Sequence, residues 1–317
     1  MQTLEHNVLR VLAYFDIFNY PLLFDEIKWF LIQEADNQSL SLVLQNLELK
    51  GKVFKIDNYY SLRNEHALVE RRKDGNQRAE RLMPKARQIA KLLYYFPFVR
   101  GIGISGSLSK NFADKDSDFD YFIITQENRL WIARFLLGML RKASFLVRRP
   151  QWFCINYYID ESCLTIPENN IFTATELFTL VGVEGADVLN NFFQQNDWVD
   201  SYYPLYKNKK IASGLGAHNP LFFIKRSAEW LLNNTLGNKI DTWLLNRLAL
   251  RWEKKKQEGT LVNLHGKAIE LPLCSKNYCK HNPRYFQAKV LNEFQQRLAK
   301  LNPEINGKST MLSFEMK

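Results

Sequence analysis

Asp118 and Asp120 flank Phe119 in the stretch GIGISGSLSKNFADKDSDFDYFIIT, residues 101–125, and Asp118 comes twelve residues after Gly106. Alternate residues of a strand share a face, so an extended run here turns both carboxylates the same way. Gly106 permits a tight turn and carries no side chain to block a close ligand. Ser107 adds a hydroxyl and an N–H, and Lys110 adds a cation three residues on. A helix starting at that turn would contribute free N–H groups to a phosphate site. Two carboxylates facing such a cradle suit Mg²⁺ carrying a nucleoside triphosphate. Paired ions of this kind can align an attacking oxygen with a leaving pyrophosphate.

The elements that must position these groups are legible around them. Residues 99–105 are β-branched and apolar with interspersed glycine, which predicts a short buried strand. Residues 119–124 predict a second strand, pairing with the first so that the aspartates face the Gly106-Ser107 turn. Residues 152–159, WFCINYYI, are strongly β-prone and predict a third. Its central polar residue is Asn156, and Asp160 follows four residues later on the same expected face. Between the second and third strands, residues 129–146 carry apolar side chains at helical spacing and predict a helix packed on the sheet.

Gly106-Ser107, Ser109, Lys110 and then Ser117-Asp118-Phe119-Asp120 resemble the signature of the nucleotidyltransferase superfamily, which includes DNA polymerase beta, kanamycin nucleotidyltransferase and the minimal nucleotidyltransferases. The spacing between the two halves matches without a gap. The resemblance implies that Gly106, Ser107 and Lys110 hold a triphosphate and that Asp118 and Asp120 bind the metal. Lys110 stands where the family often has arginine. Asn111 stands where it usually has glycine, and asparagine tolerates positive φ better than most residues. The family's third carboxylate, on a later strand, corresponds to Asn156 or to a displaced Asp160, so both join the catalytic set. An asparagine ligates a metal through its carbonyl but accepts no proton. The implied activity is Mg²⁺-dependent transfer of a nucleoside monophosphate from an NTP, with ATP the expected donor. The acceptor would be a hydroxyl on a small molecule, an RNA or a protein. The alternative is a nucleic-acid- or protein-binding module fused to an inactive, nucleotide-sensing transferase-like domain.

The flanking segments predict an α+β chain of several parts. Helical patterns at 4–18, 22–32 and 38–50 precede two short strands, 53–56 and 59–62, joined across Asp57-Asn58. Three helices and a hairpin resemble a winged-helix domain over residues 1–63. DNA is therefore a candidate partner through Lys50, Lys52 and Lys55, and a packing or protein-contact module is the other reading. Residues 64–97 predict a connecting helix, with Gly75 and Pro84 as interruptions. The transferase-like core, an α/β unit with a small mixed sheet, is expected over 98–206, with one helix across 173–193. A helical C-terminal domain is expected over 207–317, comprising a linker at 207–218, a helix at 221–256 that is either continuous or broken at Gly237, and a last helix at 284–301.

Composition narrows the classes. Of 317 residues, 46% are hydrophobic, enough for packed cores, and a net charge of +10 favours polyanionic partners, nucleotides among them. No secretory leader pattern opens the chain. Arg134, Arg141 and Lys142 interrupt the most apolar stretch, residues 130–147, so neither a membrane span nor a membrane partner is expected. Four cysteines in a chain of 317 residues do not suggest a disulfide framework, which makes a reducing cytoplasm the default. His265, Cys274, Cys279 and His281 lack zinc-site spacing, so these cysteines are expected to pack as free thiols.

Overall fold

The computed structural model describes residues 3–146, 148–211, 220–257, 273–280 and 284–301. It is a mixed α and β structure in two units. One comprises Met1–Lys73, Asp200–Leu205 and Gln287–Lys317; the other comprises Asp74–Val199 and Tyr206–Phe286.

The first unit opens with α1 (Leu4–Asp16), whose start is capped by Thr3 accepting the His6 N–H at 3.3 Å. The predicted helix at 22–32 is shorter. Leu22–Leu23 form a strand, β1, and α2 spans only Phe24–Trp29. Glu26 explains the late start, because its carboxylate accepts the Leu23 N–H at 2.9 Å. Asp36 accepts the Ser39 N–H at 2.8 Å and begins α3 (Asn37–Leu49). β2 (Phe54–Ile56) and β3 (Tyr59–Ser61) follow, with Asp57 at positive φ between them, and the sheet order is β1-β3-β2.

Helix α4 (His66–Tyr94) begins in the first unit and ends in the second, and it is uninterrupted for 29 residues. The predicted breaks at Gly75 and Pro84 do not occur. A β-carbon on Gly75 would stand 2.2 Å from the Phe112 ring, so this glycine serves close packing. Ala79, Ala86, Ile89, Ala90 and Leu93 hold the rest of the helix in the core, which outweighs the hydrogen bond lost at Pro84.

The second unit is built on a sheet ordered β7-β4-β5-β6-β9-β8. β4 (Val99–Ser105) lies antiparallel to β5 (Asp120–Thr125), which runs parallel to β6 (Cys154–Asp160). A four-residue helical turn, α5 (Gly106–Ser109), follows β4. The parallel crossover carries α6 (Leu130–Ser144), whose Leu130, Trp131 and Leu137 pack with Ile104, Tyr121 and Ile123 of the strands.

The single helix predicted across 173–193 is instead α7 (Ile171–Thr179), strand β7 (Val181–Glu184) and α8 (Ala186–Gln195). Gly185 makes this reversal feasible. Its φ is +78° and a β-carbon there would lie 2.0 Å from the Arg100 carbonyl. Helices α9 (Pro220–Leu232) and α10 (Thr235–Gln257) divide at residues 233–234, not at Gly237, which lies buried inside α10. A hairpin not anticipated from the sequence, β8 (Leu273–Cys274) and β9 (Tyr278–Lys280), extends the sheet beside β6. Cys274 and Cys279 face each other across it and form a disulfide, which corrects the expectation of free thiols. His265 and His281 lie outside the described residues. The last helix, α11 (Arg284–Leu301), spans the predicted interval.

Candidate functional site

Where β4 ends, Gly106 takes φ +69° and turns the chain into α5. A side chain there is sterically excluded, because a β-carbon would stand 2.2 Å from Asp120 Oδ2. Ser105 pairs with Asp120 in the β4–β5 ladder, and that pairing brings the aspartate against the glycine. Asn111 closes the α5 turn at φ +54°, the left-handed conformation that asparagine accommodates.

Asp120 is the first residue of β5, whereas Asp118 lies in the exposed loop before it, so the two do not sit on one strand. The charge of Asp118 is nevertheless felt at Asp120. Burial raises the Asp120 pKa to about 7, reinforced by the negative charges of Asp118 and Glu176 and opposed by Asn156 and Lys110. Burial also raises the pKa of Asp118, and Arg141 counteracts it.

Asn156 reaches the cluster through an irregularity in β6. The register with β5 shifts between Tyr121–Ile155 and Phe122–Tyr157, leaving Asn156 without a ladder partner. Such a shift re-aims a side chain, and the Asn156 amide donates to Asp120 Oδ1 at 2.6 Å. Asp160 does not join them. It pairs with Thr125 at the far end of the parallel strands, roughly 16 Å away by strand rise. There it is fully buried and accepts from the Ser162 N–H and hydroxyl at 3.0 and 2.5 Å, a loop-closing role.

Lys110 folds back on its own turn. Its Nζ donates to the Gly106 carbonyl at 3.0 Å and to Glu176 Oε1 at 2.8 Å. Glu176 Oε2 accepts the Gly106 N–H at 3.4 Å. One carboxylate therefore occupies both donors, the backbone amide and the ammonium, that an anionic ligand would use. Ser107 lies half-buried in the same turn, and Ser109 donates to the Gly106 carbonyl at 2.8 Å.

Three neighbours were not singled out from the sequence. Glu176 rides on α7, beside the buried Thr175 and Leu177. Its signal was that of a lone carboxylate on an otherwise apolar helix. Arg141, one of the charges that break the apolar stretch, acts electrostatically on Asp118, and its Nε is buried with no hydrogen bond among the described residues. Lys209 donates to the carbonyls of Phe178 and Leu180 at 2.6 and 2.8 Å and so anchors the end of α7. Burial, assisted by the charge of Lys110, lowers its pKa to about 7.

Among the described residues, no group of three His, Cys, Asp or Glu side chains stands ready to enclose a metal. That arrangement still fits Mg²⁺, which is commonly held by one or two carboxylates together with substrate phosphates. Asp118 and Asp120 repel one another, and a cation beside them would offset that repulsion.

Comparisons with protein-family models, with characterised proteins and with solved structures find no match for this chain. None of the described helices is long and apolar enough to cross a membrane.

Proposed function

We propose that the second unit is a Mg²⁺-dependent nucleotidyltransferase that moves a nucleoside monophosphate, with ATP as donor, onto a hydroxyl acceptor. The observation that carries this reading is the convergence of Asp120, Lys110 and Glu176 on Gly106, where a β-carbon has no room. Asp118 and Asp120 would hold Mg²⁺, which when bound neutralises triphosphate charge. The Gly106 and Ser107 N–H groups and Lys110 bind the phosphates. Glu176 holds Lys110 folded over the turn until a phosphate replaces it. Asn156 fixes one oxygen of Asp120, leaving Oδ2 for the ligand side. In such a site catalysis is positioning and charge stabilisation, so either aspartate is worth several kcal/mol of barrier.

A second reading, nucleotide binding without transfer, is favoured by Asn156, because strand β6 brings an amide rather than a carboxylate to Asp120. For the first unit, the order α1-β1-α2-α3-β2-β3 supports a winged-helix-like domain. Lys50 and Lys52 both pair with Glu5, at 3.2 and 3.7 Å, and Leu42 and Leu49 of α3 are exposed. These features favour a protein-contact role over DNA binding.

Calorimetric titration of ATP and a non-hydrolysable analogue, with and without Mg²⁺, tests the main reading. Binding that requires Mg²⁺ and is lost in Asp118→Ala/Asp120→Ala is expected. Absence of binding in the wild type would overturn it. Incorporation of α-labelled ATP into RNA, protein or small acceptors then separates transfer from sensing.

A further inference from the structure

Helices α9 and α10 each bury charged side chains and expose large apolar ones. In α9, Lys225 is buried and donates to the carbonyls of Tyr94 and Val99 at 2.7 and 2.6 Å. Glu229 accepts the Phe98 N–H and pairs with Arg100, each at 2.7 Å. In α10, Asp241 is buried and accepts the Ile132 N–H at 2.9 Å. The opposite faces carry Phe223 and Trp230, 76% and 81% exposed, and Trp243, 57% exposed. Leu236 and Leu250 lie seven residues to either side of Trp243 and are also exposed, which extends the stripe along α10.

Both helices rest on one layer. Leu232 of α9 and Ile240 and Leu244 of α10 pack on Phe98, Ile132 and Ala133, so the two outer faces look away from the same side of the unit. The charge around them is one-sided. Among the described side chains of the two helices, Arg226, Lys239, Arg247, Arg251 and Lys254 are exposed, whereas the acidic Glu229 and Asp241 are the inward pair just described. Arg226 and Arg247 lie over the rings of Phe222 and Trp243, at 5.9 and 5.6 Å, with their stems along apolar surface.

We propose that this face seats on an anionic lipid bilayer, lying among the headgroups without spanning. Aromatic and leucine side chains flanked by Lys and Arg are the chemistry of an interfacial helix, and the basic residues add attraction to anionic lipid. A second copy of the chain fits less well, because like charges would meet across the interface. The expectation of no membrane partner rested on the lack of a spanning stretch, a criterion that does not reach surface binding.

Co-sedimentation of the full chain with phosphatidylcholine vesicles, with and without phosphatidylglycerol, tests the proposal. Binding is expected only with phosphatidylglycerol, should weaken with added salt, and should fall about tenfold in Phe223→Ser/Trp230→Ser. Both sites are exposed, so that variant should keep the wild-type circular dichroism and melting curve. Equal pelleting of wild type and variant, or no pelleting with anionic vesicles, would overturn it. So would lipid-free self-association of the wild type that the variant abolishes, because this assigns the face to a second copy. Dependence of binding on an acidic protein in place of lipid would also overturn it.

Discussion

Gly106 and Asp120 are so close that a β-carbon on the glycine would lie 2.2 Å from Oδ2, at a backbone φ of +69°. Asp120 cannot simply swing away, because Asn156 holds its other oxygen at 2.6 Å. Gly106→Ala should therefore lower stability by about 2 kcal/mol, through steric overlap and left-handed backbone strain together. Chemical denaturation measures the loss. Mg²⁺–ATP titration of the folded variant should show binding reduced beyond detection.

Asp120 also sets a pH dependence. Its pKa rises from 3.8 to about 7. Between those values the folded chain binds a proton that the unfolded chain has released. This carboxyl therefore supports folding at low pH, and its contribution is lost as pH rises through 7. Asp120→Asn should melt higher than wild type at pH 8, by about 2 kcal/mol, with the advantage gone near pH 4. Melting curves across that range check the sign. A variant less stable than wild type at pH 8 would refute the assignment.

Glu176 occupies the amide and ammonium donors of the Gly106 turn. Its negative charge opposes an incoming anion. Glu176→Gln should tighten Mg²⁺–ATP binding about three- to tenfold. Calorimetric titration of wild type and variant at one Mg²⁺ concentration reads this directly. Weaker binding would instead make Glu176 part of the ligand-holding set.

In the first unit, Arg72 is 2% exposed, pairs with Glu26 at 2.7 Å and lies 3.6 Å from the Tyr20 ring centre. Arg72→Ala leaves Glu26 without that partner and opens a cavity under Tyr20. It should cost about 3–5 kcal/mol. Arg72→Ala/Glu26→Ala should recover part of that loss, measured as a double-mutant cycle.

The strands that carry the site were legible because their apolar runs are local and end at Gly106 and Asp120. Asn111 was legible for the same reason, since its role depends on its own backbone. The pieces that were not legible depend on partners distant in sequence. Val181–Glu184 is helical by pattern and becomes a strand because β4 offers it an open edge, with Gly185 allowing the turn. Asp160 belongs to the β6 face predicted for the site, but parallel pairing puts it at the opposite end from Asp120. Glu176 meets the Gly106 turn only through a tertiary contact between residues 70 apart in sequence. Pro84 misled because composition cannot weigh one missing hydrogen bond against a helix face buried along its length.

The β8–β9 hairpin has a consequence for the order in which the chain acquires its shape. Strands β4 to β7 are complete by Glu184, but the edge of β6 is covered only when Tyr278–Lys280 arrives. During synthesis, nearly a hundred residues must follow before that edge gains its neighbour. Until then Tyr157 to Ile159 present unpaired backbone groups, a template for pairing with other chains. A chain truncated after β7 would therefore display the Gly106 turn and the aspartates on a sheet whose β6 edge is still open.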